Sequence, residues 1–312
     1  MTAVLWLFAD TFSKFGFPGA VCSIDGVHCK WECCPVSVLH QHKGKEGYTT
    51  KVWNVACGPM GQFISVPPAH PGARNDKTLA QYDPWMQELR GGVKYADLKF
   101  TVHGVHGPEV LTGPYTIVDN GYHHWRCLQF PVTVTSDKAV QRWSKRLESL
   151  RKVSERQYGI LKKRFRCLKN GALTTSGEHF DHMFRACCML HNMLLRYDGY
   201  LTMGSSGEDW MTFDVATDEA RIGRDNLAGA HQAGVSHGHS AVNGNVVESQ
   251  KESAHWELRN KLVYHHTQAH ERAEVQWLKK AMVLRPRVKR VFMTTSSAED
   301  TEISSEDSVW ES

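Results

Sequence analysis

The 312-residue sequence predicts an α/β fold with a largely disordered C-terminal extension. Three observations carry that expectation. Runs rich in β-branched and aromatic residues crowd positions 20–66, a long helical pattern follows over 137–169, and a mostly apolar helical stretch covers 178–197.

The opening MTAVLWLFADTFSKFGF is apolar but broken by Asp10, Ser13 and Lys14, and it lacks the basic start and cleavage pattern of a signal peptide. Residues 1–15 stand apart as a divergent N-terminal segment. GAVCSI leads as a strand into Asp25, and KVWNVAC, GPMG and QFISV read as a hairpin around a Gly/Pro turn. KTLAQYDPWMQEL is expected to be one helix, capped by Asn75 or Asp76. Positions 91–113, rich in Gly and His, are expected to be irregular. YTIVD reads as a short buried strand ending in an acid at Asp119, before the turn NGY.

In the long helical pattern, Leu147, Leu150, Tyr158, Leu161, Phe165 and Leu168 recur three or four positions apart and form one apolar stripe. EHFDHMFRACCMLHNMLLRY is apolar on most sides, as a buried helix is. The main domain is thus expected over 16–200. Residues 201–254, rich in Gly, Ser, Asn and His, read as a low-complexity linker, 255–290 as a basic helix, and 291–312 as an acidic disordered tail.

A hydrophobic fraction of 41% suffices for a core, and no apolar run reaches the roughly 18 residues of a membrane span, so the chain reads as soluble. Nine cysteines, with two adjacent pairs, do not look like a disulfide framework and point to reduced thiols in the cytosol or nucleus. The net charge of +4 hides an asymmetry. Between Lys138 and Lys169 stand twelve Lys and Arg against Glu148 and Glu155, whereas the stretch from Thr295 onward has acids and no base. Such a basic face suits a polyanion, most simply nucleic acid, or else is a solvated helix surface.

Three acids sit where active-site acids tend to sit: Asp25 after a strand, Asp119 at a strand end, Glu155 on the basic helix. Carboxylates that converge repel one another unless cations are present, which implies divalent metal. Two such ions about 4 Å apart would activate a water or 3′-hydroxyl and stabilise the leaving oxygen of a phosphodiester. Glu155, Gly159, Lys162 and Arg166 share one helical face. Gly159 leaves room for a backbone phosphate, and Lys162, Lys163, Arg164 and Arg166 would hold its neighbours. The plainer reading is a salt-bridged helix that happens to contain Gly.

GFPGAVCSIDGVH (16–28), HPGARNDKTL (70–79), YTIVDNGY (115–122), SERQYGILKKRFRCL (154–168) and FRACCMLHNML (184–194) resemble, in the same order, the blocks of PIF/Harbinger-type DDE transposases and their domesticated, nuclease-like relatives. The resemblance covers roughly 16–200. It implies an RNase H-like fold, a mixed five-stranded sheet flanked by helices, with Asp25, Asp119 and Glu155 as catalytic metal ligands and Asp76 as a supporting residue. It further implies Mg²⁺ or Mn²⁺, as two ions, and DNA cleavage with strand transfer at short AT-rich targets. The expected partners are DNA, a Myb-like DNA-binding protein and a second copy of the chain, without a membrane. The expected location is the nucleus, or the cytoplasm where the partner is needed for import. Full-length members carry a helix-turn-helix-like segment before the first acid, whereas 24 residues precede Asp25 here. That departure argues against autonomous transposition and keeps open a domesticated or decayed, non-catalytic protein that binds DNA or protein.

Cys22, His28, Cys29, Cys33 and Cys34 invite a zinc reading, but no second knuckle follows at suitable distance, and only His40 and His42 could complete one. Cys187 and Cys188 read as small core residues, and His191-Asn192 as a structural pair. His28 either supports the metal site or packs. His123-His124 either touch phosphate or face solvent. Lys279–Arg290 is either a nuclear-localisation or DNA-contact patch or a chance basic run.

Overall fold

The computed structural model describes residues 2–198 and 245–275. Its sheet is built on β1 (Ala20–Lys30) and β2 (Thr50–Cys57), antiparallel from Ser23 opposite Cys57 to Lys30 opposite Thr50. β3 (Phe63–Ser65) and β4 (His70–Pro71) both pair antiparallel with β2. The hairpin expected from GPMG is therefore present. β1 runs on through Asp25 rather than ending there.

Asn75 accepts a hydrogen bond from the Thr78 amide and caps α3 (Asp76–Tyr82). The single helix expected here is two. Asp83 breaks the path and caps α4 (Pro84–Gly91) through the amides of Trp85 and Met86, with Pro84 in the first turn, where its missing amide proton costs nothing. The stretch expected to be irregular forms a hairpin of β5 (Lys99–Gly104) and β6 (Gly107–Thr112), so its glycines mark the turn. β7 (Tyr115–Ile117) lies parallel to β1, and β8 (Leu128–Gln129) parallel to β7.

The main sheet thus has order β3-β2-β1-β7-β8 with β4 beside β2, six strands rather than the expected five. The addition is a two-residue pairing that a Pro-flanked HP dipeptide gave no periodicity to detect.

α5 (Lys138–Arg164) starts at Asp137, whose carboxylate takes the amides of Ala139 and Val140. It stops at Phe165, short of the expected 169, and α6 (Arg166–Asn170) follows. α7 (Gly177–Tyr197) starts at the Ser176 cap. Alternation in β2 divides the sheet's two faces. Trp53, Val55 and Cys57 join Val27, Cys29, Tyr158, Leu161, Phe180 and Phe184 beneath α5 and α7, whereas Asn54 reaches Asp83 and Met86 on the α3–α4 side.

Two segments outside the expected domain are packed into it. α1 (Thr2–Ser13) buries Leu5, Phe8 and Phe12, and the last helix, α8 (Asn245–Glu271), begins inside the stretch read as linker and packs on β5, α5 and β8. Among the described residues no helix is long and apolar enough to cross a membrane. The rest of the linker, the basic run 279–290 and the acidic tail lie outside the described residues.

α8 docks through polar residues that a hydropathy pattern does not flag. Arg259 lies 4.5 Å from the Phe130 and Trp256 rings and donates to the Phe130 carbonyl at 3.1 Å. His255 contacts the Trp125 carbonyl at 3.1 Å, and His265 Nδ1 accepts from the His103 amide at 3.0 Å. Burial holds His255, His265 and His266 each at a pKa of about 4, with Arg259, His103 and His270 as the next cause in turn. Ordinary histidine titrates near 6.5. The undocked helix therefore takes up protons before the docked one, and docking weakens as pH falls from about 6.5 toward 4. Hydrogen exchange should show α8 losing protection across that window ahead of β1 and β2. Equal protection at pH 7 and pH 4.5 would contradict it.

Candidate functional site

Asp25 and Asp119 are brought together by parallel pairing. Ser23 opposes Ile117, and each acid follows two residues further along its chain, so both reach the same edge of the sheet. Asp25 shares a strand face with Ser23, whose hydroxyl donates to the Arg151 carbonyl of α5 at 3.0 Å and lies 3.1 Å from the Ser154 hydroxyl. That face looks at α5, and Glu155 follows one residue after Ser154. The Tyr158 hydroxyl, 2.9 Å from the Asp25 carbonyl and 2.8 Å from that of Val55, pins the helix to both central strands.

Each strand acid has one oxygen held by backbone. Asp25 Oδ1 accepts from the Gly26 amide and Asp119 Oδ1 from the Gly121 amide, both at 2.8 Å. Asp76 closes on the pair from the first turn of α3. A methyl group placed on Gly121 would lie 2.7 Å from Asp76 Oδ2 and 3.0 Å from Asp119 Oδ1, so glycine there keeps open the space between two carboxylates. Beneath them runs a buried chain in which the Tyr122 hydroxyl donates to Asn54, and Asn54 donates to Asp83.

Arg151 is the cation among these acids. Its Nη1 lies 3.5 Å from Asp25 Oδ2, its Nη2 2.9 Å from Glu155 Oε1 and 2.7 Å from Glu148 Oε1, and its Nε 3.0 Å from Glu148 Oε2. Burial raises Asp25 to a pKa of about 7, with Asp119 and Glu155 adding and Arg151 and the Gly26 amide opposing. Burial followed by Asp119 also raises Asp76. Hard carboxylate oxygens around an under-neutralised edge match the donor chemistry of Mg²⁺ or Mn²⁺. As they stand, with Arg151 bridging Asp25 and Glu155, no three His, Cys, Asp or Glu side chains among the described residues form a group that could hold a metal ion.

The other candidates separate from this cluster. His28, an odd step from Asp25, points to the opposite strand face and meets the Thr50 hydroxyl at 3.1 Å. His123 stacks on Trp125, and His124 lies 3.8 Å from Glu252 of α8. Of the four basic residues, Lys162 donates to the His28 carbonyl at 2.6 Å, and Arg164 contacts His191 and Asp198. Lys163 and Arg166 are exposed and, among the described residues, make no ion pair. Gly159 is exposed too, with nothing within 4 Å of where a Cβ would sit. Cys187 and Cys188 are buried, and Asn192 brackets Phe63 through both its amide and its carbonyl. Arg151 escaped the sequence reading, although its spacing from Glu148 and Glu155 is that of side chains that meet on a helix.

A family model described as plant transposon protein matches residues 7–201. The Bos taurus protein named "Putative nuclease HARBI1" is 24% identical over 190 residues, 60% of this chain and 49% of that protein. Proteins of the same name from Rattus norvegicus and Homo sapiens are 24% identical over 192 and 190 residues, again 60% of this chain and 49% of theirs. The chain spans about half the length of these relatives. No solved structure matches it.

Proposed function

Because the chain belongs to the plant transposon protein family, we propose that it is a metal-dependent DNA endonuclease in which Asp25, Asp119 and Glu155 carry phosphodiester cleavage. One observation carries the reading: acids from β1, from the end of β7 and from α5 gather at a single sheet edge, where Asp119 and Glu155 both act on the Asp25 carboxyl and one guanidinium joins Asp25 to Glu155. The five-strand path β3-β2-β1-β7-β8, part antiparallel and part parallel, supports an RNase H-like fold.

Asp25, Asp119 and Glu155 would hold Mg²⁺ or Mn²⁺, which when bound activates a water or 3′-hydroxyl and neutralises the leaving oxygen. The protein's own part is positioning. The Gly26 and Gly121 amides fix the inner oxygens of the two aspartates, leaving Asp25 Oδ2 directed to the α5 side where Arg151 meets it. Tyr158 sets the helix against the strand that bears Asp25. Lys163 and Arg166 are placed for phosphates, and Gly159 gives a DNA backbone direct access to the helix. Strand transfer, a Myb-like partner, a homodimer and nuclear residence belong to the same proposal.

Gly159 gives a test in which two readouts move oppositely. Glycine inside a helix costs about 0.5–1 kcal/mol relative to alanine, and no contact within the protein requires it here. Gly159→Ala should raise the melting temperature and lower DNA affinity several-fold. A stabilised variant with unchanged affinity would remove Gly159 from the DNA path.

A non-catalytic DNA- or protein-binding role is favoured by the absence, among the described residues, of a side-chain group ready to hold a metal, and by the Arg151 bridge between Asp25 and Glu155. Plasmid nicking separates the two. Purified protein with Mg²⁺ or Mn²⁺ should convert supercoiled DNA to open circles, and both EDTA and Asp119→Asn should prevent it. Activity absent from the wild type, or equal in the variant, overturns the catalytic reading.

A further inference from the structure

Resting on that reading, we infer that Arg151 is a displaceable clamp: it holds Asp25 and Glu155 in the metal-free protein and withdraws onto Glu148 when a divalent cation enters. The guanidinium fork is divided unequally. Glu148 takes Nε and Nη2 in a two-point pair at 3.0 and 2.7 Å, an arrangement complete in itself. Glu155 shares Nη2 at 2.9 Å, and Asp25 receives only a 3.5 Å contact from Nη1. The contacts to the two proposed ligands are therefore the ones that can be released while the arginine stays anchored.

Arg151 has reason both to be present and to leave. Its side chain is 13% exposed, and it is the cation that acts on Asp25, which without it would meet the charges of Asp119 and Glu155 unopposed by a side chain. A divalent ion supplies that counter-charge, and two cations a few ångströms apart then repel. Glu148, one turn back on the same helix, provides the retreat. It lies on the far side of Arg151 from Glu155 along α5, so the same side chain can serve either end by a change of rotamer. In the metal-free state the clamp keeps Asp25 and Glu155 close to where a cation needs them. In the loaded state the arginine remains nearby as a fixed positive charge.

Mn²⁺ binding, measured by calorimetry or paramagnetic resonance, tests the clamp without reference to cleavage. Arg151→Met should bind Mn²⁺ about tenfold more tightly than the wild type, and its metal-free form should melt lower. Lys152→Met, which removes an exposed charge from the next position on the helix, should change the affinity by no more than about twofold. Glu148→Gln should weaken binding several-fold in the wild type and have little effect in an Arg151→Met background, because its action runs through the arginine. Should Arg151→Met not fold, Glu148→Gln alone carries the test, and unchanged or tighter binding counts against the clamp. Mn²⁺ binding by the wild type with no gain in Arg151→Met over Lys152→Met overturns the clamp and leaves the metal site standing. Failure of both the wild type and Arg151→Met to bind Mn²⁺ overturns the metal-site reading itself.

Discussion

Asp25→Asn is expected to reduce metal-dependent DNA cleavage by roughly 10³-fold or more while making the metal-free fold more stable at pH 8. The two effects share one cause. The Asp25 carboxyl is pushed up to about 7, chiefly by burial and then by Asp119 and Glu155. The folded state therefore binds a proton that the unfolded chain, titrating near 3.8, has already released. Between about pH 4 and 7 stability falls as pH rises, and above pH 7 the buried charge costs its full amount. Asparagine keeps the shape and the bond from the Gly26 amide but carries no charge. Loss of the 3.5 Å contact with Arg151 offsets part of the gain, which leaves a net stabilisation on the order of 1 kcal/mol at pH 8. The difference should shrink to nothing near pH 4, and excess Mn²⁺ should reverse the order by stabilising only the wild type. Thermal melts at pH 4, 6 and 8 check this. A variant less stable at pH 8 would mean that Asp25 serves the fold rather than the chemistry.

The largest effect on stability is expected at Trp53. Its ring is fully buried, stacks on Phe184 with centroids 4.0 Å apart, meets Phe180 edge-on at 5.2 Å, and donates to Asp181 at 2.7 Å. Asp181 also takes the Ala69 amide and pairs with Arg185. Trp53→Ala removes the joint between β2 and α7 and leaves a cavity that two phenylalanines cannot fill. The cost should be about 3–5 kcal/mol, a large share of the 5–15 kcal/mol that ordinarily separates folded from unfolded. Urea titration should show the midpoint falling accordingly. Trp53→Phe, which loses only the outer ring and the bond to Asp181, should cost less than half as much. A loss under about 1 kcal/mol in Trp53→Ala would show that α7 is not held through this contact.

The elements legible in the sequence were those with a period. β2, β3, α5 and α7 lie where alternation and helical spacing placed them, and Asn75 is a cap as expected. What escaped depended on partners distant in the chain. The β5–β6 hairpin has few apolar positions of its own, and its face is completed by α8, more than 130 residues away. A helix was read from 255 onward, but α8 uses histidines and an arginine where a core helix ordinarily uses leucine, so its packing against the domain was not legible. The break at Asp83 was visible in the pair Asp83-Pro84, a capping signal hidden inside an otherwise helical run. At the site, all three acids were singled out from the chain alone. The bridging arginine was not, because the twelve basic residues between Lys138 and Lys169 look alike until β1 decides which of them faces Asp25.

The central claim is that Asp25, Asp119 and Glu155 act as one metal site. Anomalous diffraction from crystals of the protein soaked in Mn²⁺ tests it most directly. The account predicts a peak about 2.0–2.3 Å from carboxylate oxygens of all three residues, with Arg151 moved off Asp25 and onto Glu148. A structure without a peak at that edge, or with Mn²⁺ bound elsewhere while Arg151 still joins Asp25 to Glu155, would contradict it.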